Sequence, residues 1–259
     1  MNSVNKTLYI PLYGKAFVTE KGILLDDPKA RKIWAAEGFP LKGKSRSKWL
    51  AYYMGMRSAV FDRWLTARMA EDPNSVILHM GCGMDSRVER VGSLGHAWYD
   101  VDFPEVIAER KRYFREMEQY HMLAADVRTG EWLTEIPGGS AIVVMEGISM
   151  YLRPEELQRL MRNLRSHFSS VCLLMDCYTE LAAKASRYRN PINDVGVTQV
   201  YGLDDPGILE SSGFTYRGEW DMTPAELVNQ LRSMEKKIFK ALYAGSIARK
   251  MYRLYEFET

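Results

Sequence analysis

The residues able to do chemistry gather at the ends of short apolar runs. Ser75 to Met80 reads as a β-strand that stops at Gly81-Cys82-Gly83, and His96 to Val101 as one that stops at Asp102. Tyr120 to Ala125 stops at Asp126, and Ser140 to Met145 stops at Glu146. In open α/β sheets a ligand sits outside the carboxyl ends of the strands, so these ends mark a candidate site. The glycines let a ligand approach the backbone, and Asp102, 19 residues beyond Gly83, is placed to accept from vicinal ribose hydroxyls. Dinucleotides and S-adenosylmethionine both meet that description. The dinucleotide fingerprint needs a third glycine where Ser86 stands, and a pyrophosphate at the helix N-terminus is poorly matched to Asp85. A cationic sulfonium tolerates such acids. A nicotinamide-dependent oxidoreductase and a cofactor-binding module without catalysis are the competing readings.

The elements that must position these residues follow from periodicity. From about residue 75 short apolar runs alternate with longer helical patterns, the mark of an α/β fold with a parallel sheet covered by helices. Three further strands are expected at Ser170 to Cys177, Phe214 to Trp220 and Tyr252 to Phe257. A helix opens near Asp85, and Pro104 suits the first turn of one running to Glu118. Pro154 to His167 is helical, and Leu203 to Ser212 is a helix ended by Gly213. Thr223-Pro-Ala-Glu has capping-box spacing and starts a helix reaching Tyr243. Upstream, Asp26 to Glu37 and Lys44 to Ala70 read as helices of an N-terminal cap. The second carries an aromatic stripe from Trp49 to Trp64, read mainly as core. The polar segment 179–201 has few core signals and is expected to be a lid or capping insertion. The 259 residues are read as one domain, a cap over 1–74 and a core over 75–259.

Composition excludes several function classes. Thirty-five basic against 33 acidic side chains leave +2, so no general field draws nucleic acid or anionic lipid. Cys82, Cys172 and Cys177 form no CxxC pair, and the four histidines show no HxH or HExxH spacing, so no metal is assigned. Cys82 is read as a small filler and His79 as a satisfied core histidine. Asp85 and Arg87 are read as a local ion pair that shapes the loop, with Arg87 reaching an anionic substrate as the alternative. The apolar runs are far short of the roughly 20 residues of a membrane span, and Met1 to Gly14 lacks the pattern of a signal peptide. A reducing cytoplasm fits best. Oligomeric state leaves no signal.

Several segments, in order, resemble one known family. They are Pro11-Leu-Tyr-Gly-Lys-Ala, Asp27-Pro-Lys-Ala, Arg57, His79-Met-Gly-Cys-Gly-Met-Asp-Ser-Arg87, Tyr99-Asp-Val-Asp-Phe-Pro-Glu105, Ala125-Asp-Val127 and Glu146-Gly-Ile-Ser-Met-Tyr-Leu152. They resemble the leucine carboxyl methyltransferase and polyketide (tetracenomycin-type) O-methyltransferase group of class I S-adenosylmethionine-dependent methyltransferases. Met84, Ser86 and Asp100 are mild departures from its usual Leu, Thr and Glu. The resemblance implies a Rossmann-like class I methyltransferase fold, a seven-stranded, mostly parallel sheet with helices on both faces and an N-terminal helical cap. It implies O-methylation of a carboxylate or phenolic oxygen on a small-molecule acceptor, polyketide-like or another metabolite, with S-adenosylmethionine as cofactor. Position by position, it assigns Arg57 to the methionyl carboxylate, a task suited to a bidentate donor, and Lys15 to the same neighbourhood. Gly81 and Gly83 line the methionyl part, Asp102 binds the ribose, Asp126 and Val127 meet the adenine, and Glu146 faces the ammonium and sulfonium. No catalytic residue is assigned; Glu146 and Tyr151 are the candidates.

Overall fold

The computed structural model of the chain describes residues 7–189 and 199–259. Seven strands make one sheet: β1 (Val76–Met80), β2 (Trp98–Asp102), β3 (Tyr120–Ala124), β4 (Ser140–Met145), β5 (Ser170–Tyr178), β6 (Thr215–Glu219) and β7 (Tyr252–Glu258). Their order is β3-β2-β1-β4-β5-β7-β6. The first five are parallel to one another, while β7 runs antiparallel to both β5 and β6. β1 is buried along its whole length, as a central parallel strand covered on both faces must be. The register sets Met80 level with Val101 and with Met145. Gly81, Asp102 and Glu146, each the next residue, therefore leave the sheet at one edge. The strand order reverses between β1 and β4, which opens a crevice there.

Three helices form the cap: α1 (Tyr9–Glu20), α2 (Pro28–Glu37) and α3 (Lys48–Glu71). The sequence reading has no counterpart to α1. Pro11 lies in its first turn, where a missing N–H is no loss, and Ile10, Leu12, Ala16 and Val18 are buried. α2 starts two residues later than expected, because Asp27 is its N-cap and accepts from the Ala30 N–H at 2.8 Å. α3 likewise starts at Lys48, after a 3₁₀ turn over Gly43–Arg46, with the Ser47 hydroxyl capping Trp49 N–H. α1 and α3 cross closely at Gly55, where an added Cβ would stand 2.9 Å from Val18.

Among the described residues the remaining α-helices are α4 (Arg87–Val91), α5 (Pro104–Arg110), α6 (Pro154–His167), α7 (Glu180–Arg189), α8 (Ala225–Val228), α9 (Ser233–Tyr243) and α10 (Ser246–Arg249). Three expectations are corrected. α5 ends at Arg110, not Glu118, as Arg110 turns inward to a buried carboxylate. Leu203 to Ser212 is a 3₁₀ segment over Pro206–Ser212, although Gly213 closes it at φ +83° as expected. The helix expected from Thr223 to Tyr243 is two, α8 and α9. Thr223 precedes the N-cap Pro224 and bonds to Asp221 instead of capping. Of segment 179–201, α7 covers one part and 190–198 fall outside the described residues, so the lid expectation lies largely there. Among the described residues no helix is long and apolar enough to cross a membrane.

β2 carries a charge into the core. Asp100 is fully buried and accepts from His79 Nδ1 at 3.0 Å, Trp98 Nε1 at 2.9 Å and Tyr120 Oη at 2.6 Å, besides the Arg110 guanidinium. Burial alone would raise its carboxyl, but Arg110 and His79 outweigh that and hold it at about 2. A depressed acid stabilises the fold above its usual 3.8 and loses that contribution as pH falls towards 2. Asp100→Ala strands a buried guanidinium and should cost about 3–5 kcal/mol at pH 7. Urea denaturation measures this, and an unchanged midpoint would contradict the assignment.

Candidate active site

The turn after β1 needs glycine at two places. Gly81 has φ +66°, and a Cβ there would stand 1.8 Å from Ile148 Cγ2; Gly83 has φ +50°. The Gly83 N–H donates to Asp102 Oδ2 and the Phe103 N–H to Asp102 Oδ1, both at 2.8 Å. The glycine turn and the end of β2 are thus one unit. Burial is the larger influence on Asp102, and despite both backbone donors its carboxyl is raised to about 6.

Above these strand ends lies a cavity of about 610 Å³. All nine residues singled out from sequence line it: Lys15, Arg57, Gly81, Gly83, Asp102, Asp126, Val127, Glu146 and Tyr151. The sheet supplies the glycines, Asp102 and Glu146; the cap supplies Lys15 and Arg57 from α1 and α3. Arg57 donates through Nε to Glu146 Oε1 at 3.0 Å and through Nη1 to Asp176 Oδ2 and Tyr252 Oη, each at 2.9 Å. Glu146 also accepts from Ser58 Oγ at 2.9 Å and from Arg87. Burial pushes the Glu146 carboxyl up, but Arg57, Arg87 and Lys15 bring it to about 2. Lys15 is 2% exposed, its Nζ 3.3 Å from Asp85. Burial raises the Asp85 carboxyl too, and Arg90, Lys15 and Arg87 hold it well below the usual carboxylate range. Asp126 is bound by Arg128 through Nε and Nη2, which lowers its pKa.

The Asp85–Arg87 pair forms, at 3.4 Å. Its alternative is excluded, because Arg87 is fully buried and committed to Asp62, Glu146 and His79, so it faces no substrate. His79 is a satisfied core histidine. It sits between Asp100 and Arg87 Nη1, an arrangement in which Nδ1–H donates and Nε2 accepts, and burial lowers its pKa. Burial likewise raises the Cys82 thiol well above its usual value, which suits a filler. Sequence reasoning missed Asp176 and Tyr252. Asp176, fully buried at the end of β5, accepts from the Gly147 N–H at 2.7 Å and Tyr252 Oη at 2.5 Å as well as Arg57. An acid within the apolar run of β5 was the available signal. Tyr252 begins β7 and carried none.

The family model for leucine carboxyl methyltransferase matches residues 4–165. The chain belongs to that family. It is 31% identical over 184 residues, 70% of this chain and 68% of the other, to the tetracenomycin polyketide synthesis O-methyltransferase of Streptomyces glaucescens. An S-adenosyl-L-methionine-dependent methyltransferase of Gibberella zeae is 26% identical over 243 residues, 84% of this chain and 82% of the other. Magnesium protoporphyrin IX methyltransferase from Synechocystis, solved with bound SAM, superposes with TM-score 0.51 at 13% identity, covering 90% of this chain and 97% of that one. An S-adenosylmethionine-dependent methyltransferase from Mesorhizobium loti gives 0.51 at 13%, covering 76% and 98%. At such identities these two structures speak to the fold, which is that of class I methyltransferases. The family's methyl donor, S-adenosylmethionine, is the cofactor of this chain.

The glycine turn can be tested directly. Gly81→Ala combines a positive-φ penalty of about 1–2 kcal/mol with the clash against Ile148. Gly95→Ala, at φ +94° with open space around it, carries the first cost alone. Gly81→Ala should therefore lower the melting temperature further than Gly95→Ala; equal shifts would contradict the close approach.

Proposed function

We propose that the chain is an O-methyltransferase that moves the methyl group of S-adenosylmethionine to a carboxylate or phenolic oxygen of a small, polyketide-like or other metabolite. The observation that carries this is the convergence of the nine residues on one cavity whose remaining walls are mostly apolar and aromatic. Bound there, the cofactor supplies a methyl group already electrophilic on its sulfonium. The protein has to hold the acceptor oxygen in line and keep water out. Arg57 would take the methionyl carboxylate, with Lys15 nearby, while Gly81 and Gly83 lie along the methionyl part. Asp102 would accept from the ribose, Asp126 and Val127 would meet the adenine, and Glu146 would offset the cofactor's positive charge. With its carboxyl at about 2 and three donors upon it, Glu146 suits that electrostatic role rather than that of a base. Burial raises the Tyr151 phenol, so it stays protonated at neutral pH. An acceptor that arrives ionised, such as a carboxylate, suits this site because it needs no base. The free cysteines fit a reducing cytoplasm.

A nicotinamide cofactor is disfavoured by the same geometry. Ser86 Oγ is spent on Asp27 at 2.5 Å, and the ionised, buried Asp85 stands before α4 where a pyrophosphate would sit. Calorimetric titration with S-adenosylhomocysteine beside NAD and NADP should give one saturable site for the sulfur nucleoside. Saturation by NAD would contradict the reading. Asp102→Ala should weaken S-adenosylhomocysteine at least about tenfold, the loss of roughly 1.4 kcal/mol of hydrogen bonding to a charged group.

The titration of Asp102 adds a pH dependence. The ribose hydroxyls need an ionised acceptor, so affinity should be flat above pH 7 and fall as pH drops below about 6. Its limiting slope is about tenfold per pH unit. Asp102→Asn should bind more weakly and lack that step. A step of the same size in the Asn variant would assign it to another group.

A further inference from the structure

Beside the main cavity lies a second chamber of about 200 Å³, walled by Trp220, Met222 and Thr223 and by Glu219, Asp221 and Arg249. The two spaces share Tyr53, Tyr243, Ala248 and Tyr252. Resting on the methyl-transfer reading, we propose that Tyr53 and Tyr243 form an acceptor subsite that binds an oxyanion borne on a flat aromatic body. The far end of that body extends into the second chamber.

The tyrosine hydroxyls around this wall fall into two kinds. Tyr252 Oη is committed to Asp176 and Arg57. Among the described residues the hydroxyl of Tyr53, 9% exposed, finds only the thioether of Met222, at 3.5 Å, and a thioether is a weak acceptor. Tyr243 Oη has no hydrogen-bond partner among the described residues. For the buried Tyr53 phenol, removal from water without a good acceptor is costly, and the cost is recovered when a ligand supplies one; Tyr243 is half-buried and adds a second donor beside it. Burial keeps both phenols protonated. Both are donors, so what they fit is an oxygen acceptor, and an anionic one best.

Location and shape narrow the ligand further. Tyr53 lies one helical turn before Arg57 on α3, so the two occupy one face of the helix and the phenol borders the proposed methionyl end. Its ring is 5.3 Å from that of Tyr243 and 6.2 Å from that of Tyr252, and Tyr243 is itself stacked on Phe239 at 5.4 Å. Such ring faces suit a planar aromatic partner. The acids of the second chamber are already paired, Glu219 with Arg253 and Asp221 with Arg249, each at 2.8 Å. Among the described residues that line it, a second anion meets no free cation, so the oxyanion belongs at the tyrosines and the uncharged end beyond them.

The test titrates 2-naphthoate and its neutral counterpart 2-naphthalenemethanol into the protein saturated with S-adenosylhomocysteine. Naphthoate should bind about tenfold tighter than the alcohol. Tyr53→Phe and Tyr243→Phe should each weaken naphthoate about tenfold, the loss of one hydrogen bond to a charge. The alcohol and S-adenosylhomocysteine itself should change less than about twofold, which also shows that the variants fold. Naphthoate binding that is absent from the wild-type complex, or equal in wild type and both variants, overturns the subsite and leaves the cofactor reading standing. Failure of S-adenosylhomocysteine to bind the wild type overturns that reading, and the subsite with it.

Discussion

The molecule depends on a buried run of opposite charges that joins the cap to the strand ends. Arg87 and Arg57 meet at Glu146, Arg87 and Arg90 share Asp62 of α3, and Arg90 reaches Asp27 and Asp85, which also receives Lys15. These groups come from α1, the start of α2, α3, the β1 turn, α4 and β4. Each would be expensive to bury alone; paired, they are tolerated only in one relative placement of cap and sheet. That placement is what closes a cavity over the glycine turn.

The same constraint divides the polar groups around the cavity. Glu146, Asp176 and Tyr252 already face protein partners, and so they hold Arg57 in position instead of being open for proton transfer. Asp102 is different: its partners are backbone N–H groups, which leave lone pairs for a ligand while burial raises its pKa. Tyr53 and Tyr243 differ again, as phenols with little to donate to. A site built this way offers fixed charge for a cofactor and uncommitted donors for an acceptor, which suits a reaction governed by positioning more than by acid–base chemistry.

Much of this was legible in the sequence, for identifiable reasons. The strand ends could be read because β1 and β4 are buried almost throughout and so appear as mainly apolar runs that stop abruptly at Gly81 and Glu146. Arg57 and Lys15 could not be placed by periodicity, and only the family resemblance singled them out. α1 stayed hidden because Pro11 resembles a break unless one knows it lies in the first turn. The division of α8 from α9 was hidden because helical spacing continues through Asn229 to Arg232. Asp176 and Tyr252 matter through pairing across β5 and β7, a long-range register that one sequence does not reveal. The Asp85–Arg87 pair was readable because it is local, whereas the substrate-contact alternative stayed open for a related reason: Arg87's other partners, Asp62, His79 and Glu146, come from separate elements.

The most direct measurement of the central claim is a crystal structure of the chain with S-adenosylhomocysteine. The account predicts the methionyl carboxylate at Arg57, both ribose hydroxyls on Asp102 and the adenine beside Asp126 and Val127, with the Arg87–Glu146 contact kept. A nucleoside bound elsewhere, or bound in the cavity with Arg57 still turned wholly to Glu146 and Asp176 and Asp102 untouched, would contradict it.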